Sequence, residues 1–233
     1  MQTDLKSLFL KALETDPNFS EAHLQLALLY QDEKKFQNAE SHFLAAIESD
    51  SSFAKKFDER GEELLKKYQF QNAKDQFMKA QEKKNHCANV YFEQSKYFLK
   101  IKNSKKALDS LSNSIQMNPT ISEVHRDYGI LLYQDKQIDK ARHHLEKSLD
   151  LNYGDSISHY NLGVLMVLMK DYEDAEQHFL SALDINSNLA DCIVELASLK
   201  LKLDQKDEAL KYYENAKKIN PELTHGELEN LID

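Results

Sequence analysis

Glycine, proline, cysteine and tryptophan are scarce in this sequence, which has 5 Gly, 3 Pro, 2 Cys and no Trp among 233 residues. Sandwiches and barrels need many tight turns, and tight turns are rich in glycine and proline, so this scarcity argues against those folds and against long flexible linkers. Charged residues make up 30% of the chain, which is typical of helices that expose much of their surface. The composition therefore favours an all-α protein.

The sequence also lacks the features of several functional classes. Its formal net charge is −9, whereas nucleic acids and anionic membranes are bound through a basic surface. No apolar run approaches the roughly 18 residues that a membrane span needs, so we expect no membrane insertion. Cys87 and Cys192 match no metal-binding or redox motif. Two free thiols fit a reducing compartment, and we predict a cytoplasmic location.

The dominant positive feature is a repeat of 34 residues without insertions or deletions. Six units begin at Ser20, Ala54, Ala88, Ser122, Ser156 and Ala190. Position 20 of every unit is alanine: Ala39, Ala73, Ala107, Ala141, Ala175 and Ala209. Positions 8 and 27 are small residues, and position 24 is Phe, Leu or Tyr. Small residues at helical spacing let two helices approach closely, and the bulky residue fills the space between successive units.

These columns resemble the tetratricopeptide repeat (TPR), most clearly in the fifth unit, which has Asn161, Leu162, Gly163, Tyr172, Ala175, Phe179 and Ala182 at the matching places. The resemblance implies an all-α, right-handed superhelical solenoid of antiparallel helix pairs, each unit being helix A, a tight turn and helix B. It implies a leading half-repeat over 1–19 (helix B only), six full repeats over 20–223 and a partial C-terminal capping helix over 224–233. Pro17, Pro119 and Pro221 share position 32, where the chain turns after helix B.

We find no signature of catalysis. The sequence has no HExxH motif, nucleophile elbow, phosphate-binding glycine loop or dinucleotide fingerprint, so we predict no catalytic residue, no metal and no cofactor. Six of the nine histidines fall into two columns. His23, His125 and His159 share position 4, and His42, His144 and His178 share position 23. Because the family places packing residues there, we interpret their periodicity as structural.

Recognition by a surface is the remaining class of function. In TPR proteins helix A lines the concave face, and its position 6 is here Gln25, Glu59, Glu93, Asp127, Asn161 and Glu195. Four of these six are acids, which predicts a groove for a segment that contains Lys or Arg. The alternative interpretation is a solvated acidic face.

A second predicted surface is apolar. Residues 156–169 carry no formal charge, and their inward-facing apolar residues exceed what helix packing requires. The predicted peptide-binding residues are Glu59, Glu93, Asp127, Arg126, Ile130, Tyr133, Ile157, Tyr160, Asn161, Val164, Val167 and Val194. Together they predict a non-catalytic interaction scaffold or adaptor for a protein or peptide ligand, a basic amphipathic segment in particular.

Two alternatives stay open. One is an assembly protein, of the kind found in pilus biogenesis or on organelles, that forms homo-oligomers through the apolar flank of its N-terminal half-repeat. The other is a TPR region that belongs to a larger chain, for example one that resembles a glycosyltransferase.

Overall fold

The computed structural model describes the backbone of residues 2–66 and 70–229, and all the regular structure in these ranges is helical. The helices are α1 Gln2–Thr15, α2 Ser20–Asp32, α3 Phe36–Lys66, α4 Phe70–Lys100, α5 Ser104–Met117, α6 Ser122–Gln134, α7 Ile138–Leu151, α8 Ser156–Met169, α9 Tyr172–Ile185, α10 Ala190–Lys202, α11 Lys206–Ile219 and α12 Gly226–Glu229. The chain divides into two compact units, Met1–Thr120 and Ile121–Asp233. The predicted all-α class is confirmed.

The second unit is built from helix pairs in the predicted register. Helices α6, α8 and α10 are the A helices, and α7, α9 and α11 are their B partners. Ala141, Ala175 and Ala209 at position 20 are fully buried. At position 8, a Cβ added to Gly163 would lie 2.5 Å from the ring of Phe179, which occupies position 24. The small and bulky columns of the repeat therefore interlock.

The turn from helix A to helix B is the same in every unit whose turn is described. Its residue at position 15 has a left-handed conformation, with φ between 58° and 65° at Lys34, Lys102, Lys136, Lys170 and Asp204. The next residue donates its N–H back to the carbonyl of position 11, as Asp171 does to Met166 at 2.9 Å. This is the Schellman arrangement that ends a helix, made here without glycine.

The turn from helix B to the next helix A depends on an Asn or Asp at position 31. The side-chain oxygens of Asp16, Asn118, Asn152, Asn186 and Asn220 accept the N–H two residues later, at 2.9–3.2 Å. These Asx turns take the chain out of the helix. Position 32 is not decisive, because Tyr153 and Ser187 stand there in two of the five turns.

The first unit departs from the predicted alternation of helix and turn. Helices α3 and α4 run without interruption through the junctions before Ala54 and Ala88, where we expected turns. Position 31 at these junctions is Asp50 and Lys84. The ammonium of Lys84 can only donate and so cannot accept a backbone N–H, and the carboxylate of Asp50 is held by His86 and by Lys83. Each B helix therefore continues into the following A helix, and the two long helices pack against each other.

The ends of the chain are covered to different degrees. At the C-terminal end, Leu228 of α12 is fully buried against Ala197, Ala209 and Tyr213, and the hydroxyl of Tyr213 accepts the N–H of His225 at 3.1 Å. Residues 230–233 of the predicted capping helix lie outside the described residues. At the N-terminal end, α1 packs on α2 but leaves Leu8 65% exposed.

Candidate functional site

Helix α8 carries the clearest candidate surface of the second unit. Its side chains Leu162, Leu165 and Met166 are buried in the core. A second set of apolar side chains on the same helix stays accessible. Ile157 is 41% exposed, and Tyr160, Val164 and Val167 are half-buried. The buried set already satisfies the packing of α8, so the accessible set remains available for contact with another molecule.

The neighbouring A helices extend this surface. Helix α8 contacts both α6 and α10, which lie on either side of it. Ile130 and Tyr133 on α6 and Val194 on α10 are half-buried like the residues of α8. We call this set the A-helix face, defined as Ile130, Tyr133, Ile157, Tyr160, Val164, Val167 and Val194. Seven predicted site residues therefore share three adjacent helices.

Carboxylates border the A-helix face beside α10. Burial raises the pKa of Tyr160 to about 12, and the charges of Glu195 and Asp191 act in the same direction. Neither of these two acids forms an ion pair with a described residue. Glu195 is one of the acids at position 6, and neither Glu195 nor Asp191 is among the predicted binding residues. Their effect on Tyr160 links them to the face.

The polar residues at the α6 end of the face are already engaged. Arg126 donates from Nε to Asp127 at 2.9 Å and from Nη1 to Asp155 at 3.3 Å. Asn161 donates to the carbonyl of Ile157 at 2.8 Å. Part of the hydrogen-bonding capacity of Arg126 and Asn161 is therefore used within the protein.

The two remaining predicted residues belong to the first unit. Glu59 lies on the second half of the fused helix α3 and is exposed. Glu93 lies on the second half of α4, and its carboxylate accepts the ammonium of Lys96 at 2.7 Å. The charge of Glu93 is thus largely balanced within its own helix.

The histidine columns form pairs. His23 faces His42, His125 faces His144 and His159 faces His178, with Nδ1–Nδ1 distances of 2.8, 3.0 and 3.1 Å. Burial and the charges of His125 and His143 lower the pKa of His144 to about 4. No group of three or more His, Cys, Asp or Glu in the described parts of the chain is arranged to hold a metal ion. Each pair instead bridges helix A and helix B of one unit.

Sequence profiles identify the family. Profiles of the tetratricopeptide repeat match residues 8–41, 120–188 and 190–223. The chain belongs to the tetratricopeptide repeat family. These TPR matches lie on either side of residues 42–119, the part that contains most of α3 and all of α4. No curated protein matches the chain in a sequence search.

Solved TPR structures have the same fold. The crystal structure of MamA superposes with a TM-score of 0.55 at 18% identity, covering 69% of this chain and 94% of that one. A structure of pilF from Pseudomonas aeruginosa gives a TM-score of 0.56 at 21% identity, over 91% and 96% of the two chains. The C-terminal part of a TPR repeat-containing protein from Cytophaga hutchinsonii gives 0.55 at 17% identity, over 100% and 95%. At these identities the similarity establishes the fold alone.

Two further observations concern the rest of the described chain. None of its helices has the length and apolar character needed to cross a membrane. Cys87 and Cys192 are buried free thiols. Burial raises the pKa of Cys192 to about 12, so this thiol is un-ionised and unreactive at neutral pH.

Proposed function

We propose that this TPR protein is a non-catalytic scaffold that binds a peptide or a helical segment of a partner protein on the A-helix face. The observation that carries the proposal is the band of accessible apolar side chains on α8, continued on α6 and α10. A soluble helix pair normally turns such residues towards its own core, and here the core is already filled. The coarser statement, a protein-interaction scaffold, follows from membership of the TPR family.

The preferred ligand would be amphipathic and basic. An apolar stripe on a helix would lie against Ile157, Tyr160 and Val164, as in other helix-in-groove complexes. Asp191 and Glu195 have no cationic partner among the described residues, and a Lys or Arg of the ligand would supply one. Paired charges at the border of an apolar contact contribute mainly to specificity and to the rate of association.

A binding titration tests this proposal. The probe is a fluorescent amphipathic peptide of leucine and lysine, and its counterpart has glutamate in place of lysine. We expect the lysine peptide to bind and its affinity to fall as salt is raised, because exposed charges are screened over about 8–10 Å at physiological ionic strength. Tyr160→Ala with Val164→Asp should weaken binding by about tenfold or more, as expected for residues at the centre of an interface.

A matched control comes from helix α9. Leu180 and Ile185 are 42% and 43% exposed on a B helix outside the A-helix face. Leu180→Ala with Ile185→Asp should leave binding unchanged. The proposal is wrong if both double variants bind equally well, or if the glutamate peptide binds as tightly as the lysine peptide.

Self-association is a second candidate function, and it rests on helix α1. Leu5, Leu8 and Leu10 are 47%, 65% and 41% exposed, so this one helix presents a large apolar area to solvent. Light scattering over a range of protein concentrations would reveal an oligomer. Leu5→Gln with Leu8→Gln should then abolish the concentration dependence, and a protein that stays monomeric at every concentration would contradict this candidate.

A further inference from the structure

A cavity of about 430 Å³ opens in the first unit, whereas the A-helix face belongs to the second. Its walls come from the turn between α1 and α2, the first residues of α2, the middle of α3 and the middle of α4. The phenyl rings of Phe19, Phe53 and Phe57 line it. Phe19 is 44% exposed and Phe53 is 39% exposed, so the core covers these two side chains only in part. Exposed aromatic rings around a concave site are typical of ligand-binding cavities.

The cavity lies where the helices are fused. Phe53 and Phe57 follow Asp50 on α3, and Glu82, Lys83 and His86 surround Lys84 on α4. Asp50 is only 1% exposed; it forms a hydrogen bond with the ring of His86 and an ion pair with the ammonium of Lys83 at 3.1 Å. The second ring nitrogen of His86 lies 3.0 Å from Glu21 on α2. This chain of contacts holds α2, α3 and α4 together behind the cavity.

Acidic side chains outnumber basic ones among the residues that line the cavity. Asp16, Glu21 and Glu82 line it, and Asp50 lies directly behind it. The basic groups of the wall are Lys83 and His86, and both are held by Asp50. Among the lining residues three carboxylates face two basic groups, and the ammonium groups of Lys56 and Lys79 lie 5.6 and 5.9 Å from the rings of Phe53 and Phe57. Neither Asp16 nor Glu82 forms an ion pair with another described residue.

We propose that this cavity binds the side chain of a lysine or arginine from a partner polypeptide. The aliphatic stem would lie against the phenyl rings and the cationic head would approach Glu82 and Asp16. The ammonium groups of Lys56 and Lys83 already lie 5.6 and 5.9 Å from the ring centroid of Phe53, within the range of cation–π attraction. This site goes beyond the A-helix face and does not depend on it.

Nuclear magnetic resonance titration of the full chain tests the assignment. The probes are acetyl-Gly-Arg-Gly-amide, acetyl-Gly-Lys-Gly-amide and the uncharged acetyl-Gly-norleucine-Gly-amide. We expect the cationic probes to shift the amide signals of Phe19, Phe53 and Phe57, with norleucine several-fold weaker. Phe53→Leu and Glu82→Gln should each lower the affinity about two- to fivefold, the range for exposed cation–π contacts and ion pairs.

Matched variants separate the cavity from the general acidity of the protein. Phe36 is as exposed as Phe53, at 41%, but lies outside the cavity, and Glu173 is an exposed acid on α9. Phe36→Leu and Glu173→Gln should leave the affinity unchanged. Equal binding of norleucine, equal effects of control and cavity variants, or the absence of shifts at the three phenylalanines would each overturn the proposal. Because the probes do not test the A-helix face, none of these results bears on the proposed function.

Discussion

Proline substitutions at two equivalent positions of the repeat test whether α4 is one continuous helix. Asn85 and Tyr153 both occupy position 32 of the repeat, where Pro17, Pro119 and Pro221 stand elsewhere. Asn85 lies inside helix α4, whereas Tyr153 lies in the turn between α7 and α8. Proline should therefore have opposite effects at the two positions.

The magnitudes follow from the backbone contacts. Within α4, Asn85→Pro removes the N–H bond to the carbonyl of residue 81 and places the proline ring against that carbonyl, which costs about 3 kcal/mol or more. It also removes the side chain that accepts from Gln81 at 2.8 Å and from Asn118 at 3.0 Å. Tyr153→Pro removes no backbone hydrogen bond, because the turn is closed by Asp155 N–H and Asn152 O at 3.2 Å. Its effect should lie within about 1 kcal/mol of zero.

The assay is urea unfolding followed by circular dichroism, with hydrogen exchange of the amides around residue 85 as the local measurement. For Asn85→Pro we expect a lower midpoint and faster exchange in α4, and for Tyr153→Pro an unchanged midpoint. If both variants are equally stable, a turn forms at residues 84–87 in solution and the fused helix is wrong. If both are equally destabilised, the repeat register assigned to Tyr153 is wrong.

Three further predictions concern the repeat itself. Lys170→Gly should raise the free energy of unfolding by about 0.5–1 kcal/mol, because Lys170 has a φ of 65°; a thermal melt checks this. Gly163→Ala should destabilise by about 1–3 kcal/mol through its clash with Phe179, and Phe179→Leu in the same chain should recover part of the loss in urea unfolding. Because the folded pKa of His144 is about 4, below the usual histidine value of 6.5, the unfolded state binds the proton first as pH falls. Stability should therefore fall between pH 6.5 and 4, by about 1–2 kcal/mol after allowing for partial exposure. In unfolding curves measured across that range, His144→Gln should remove the part of the loss that His144 causes, and His143→Gln should remove only a small part of it.

The helix pairing could be predicted from the sequence because it depends on contacts between residues in fixed columns. Gly163 packs against Phe179 in the fifth unit, and Gly129 packs against Leu145 in the fourth in the same way. A Cβ added to Gly129 would lie 2.8 Å from Cγ of Leu145. The histidine pairs were also visible in principle. Position 23 is histidine in each unit where position 4 is histidine, and only there. We interpreted these columns as structural without recognising that they pair.

The predicted binding residues show the limit of sequence reasoning for the site. The repeat columns correctly assigned seven apolar residues to three adjacent A helices, because helix periodicity alone decides which residues share a face. They did not predict that Lys96 pairs with Glu93 or that Arg126 lies between Asp127 and Asp155. Arg126 can reach several partners, and its contact with Asp155 depends on where α8 begins.

Taken by itself, the sequence determined the repeat length, the all-α class and the interlocking of small and bulky residues, since all three depend on local periodicity and side-chain volume. Only the tertiary structure decided whether each repeat ends in a turn. Asp50 could accept an N–H in an Asx turn, as Asp16 does at one other junction and asparagine does at four, yet its carboxylate is held by His86 and Lys83 from α4. A side chain that could stop a helix does so only while its oxygen is free. At Asp50 the long-range contact is made instead, and α3 continues through the junction.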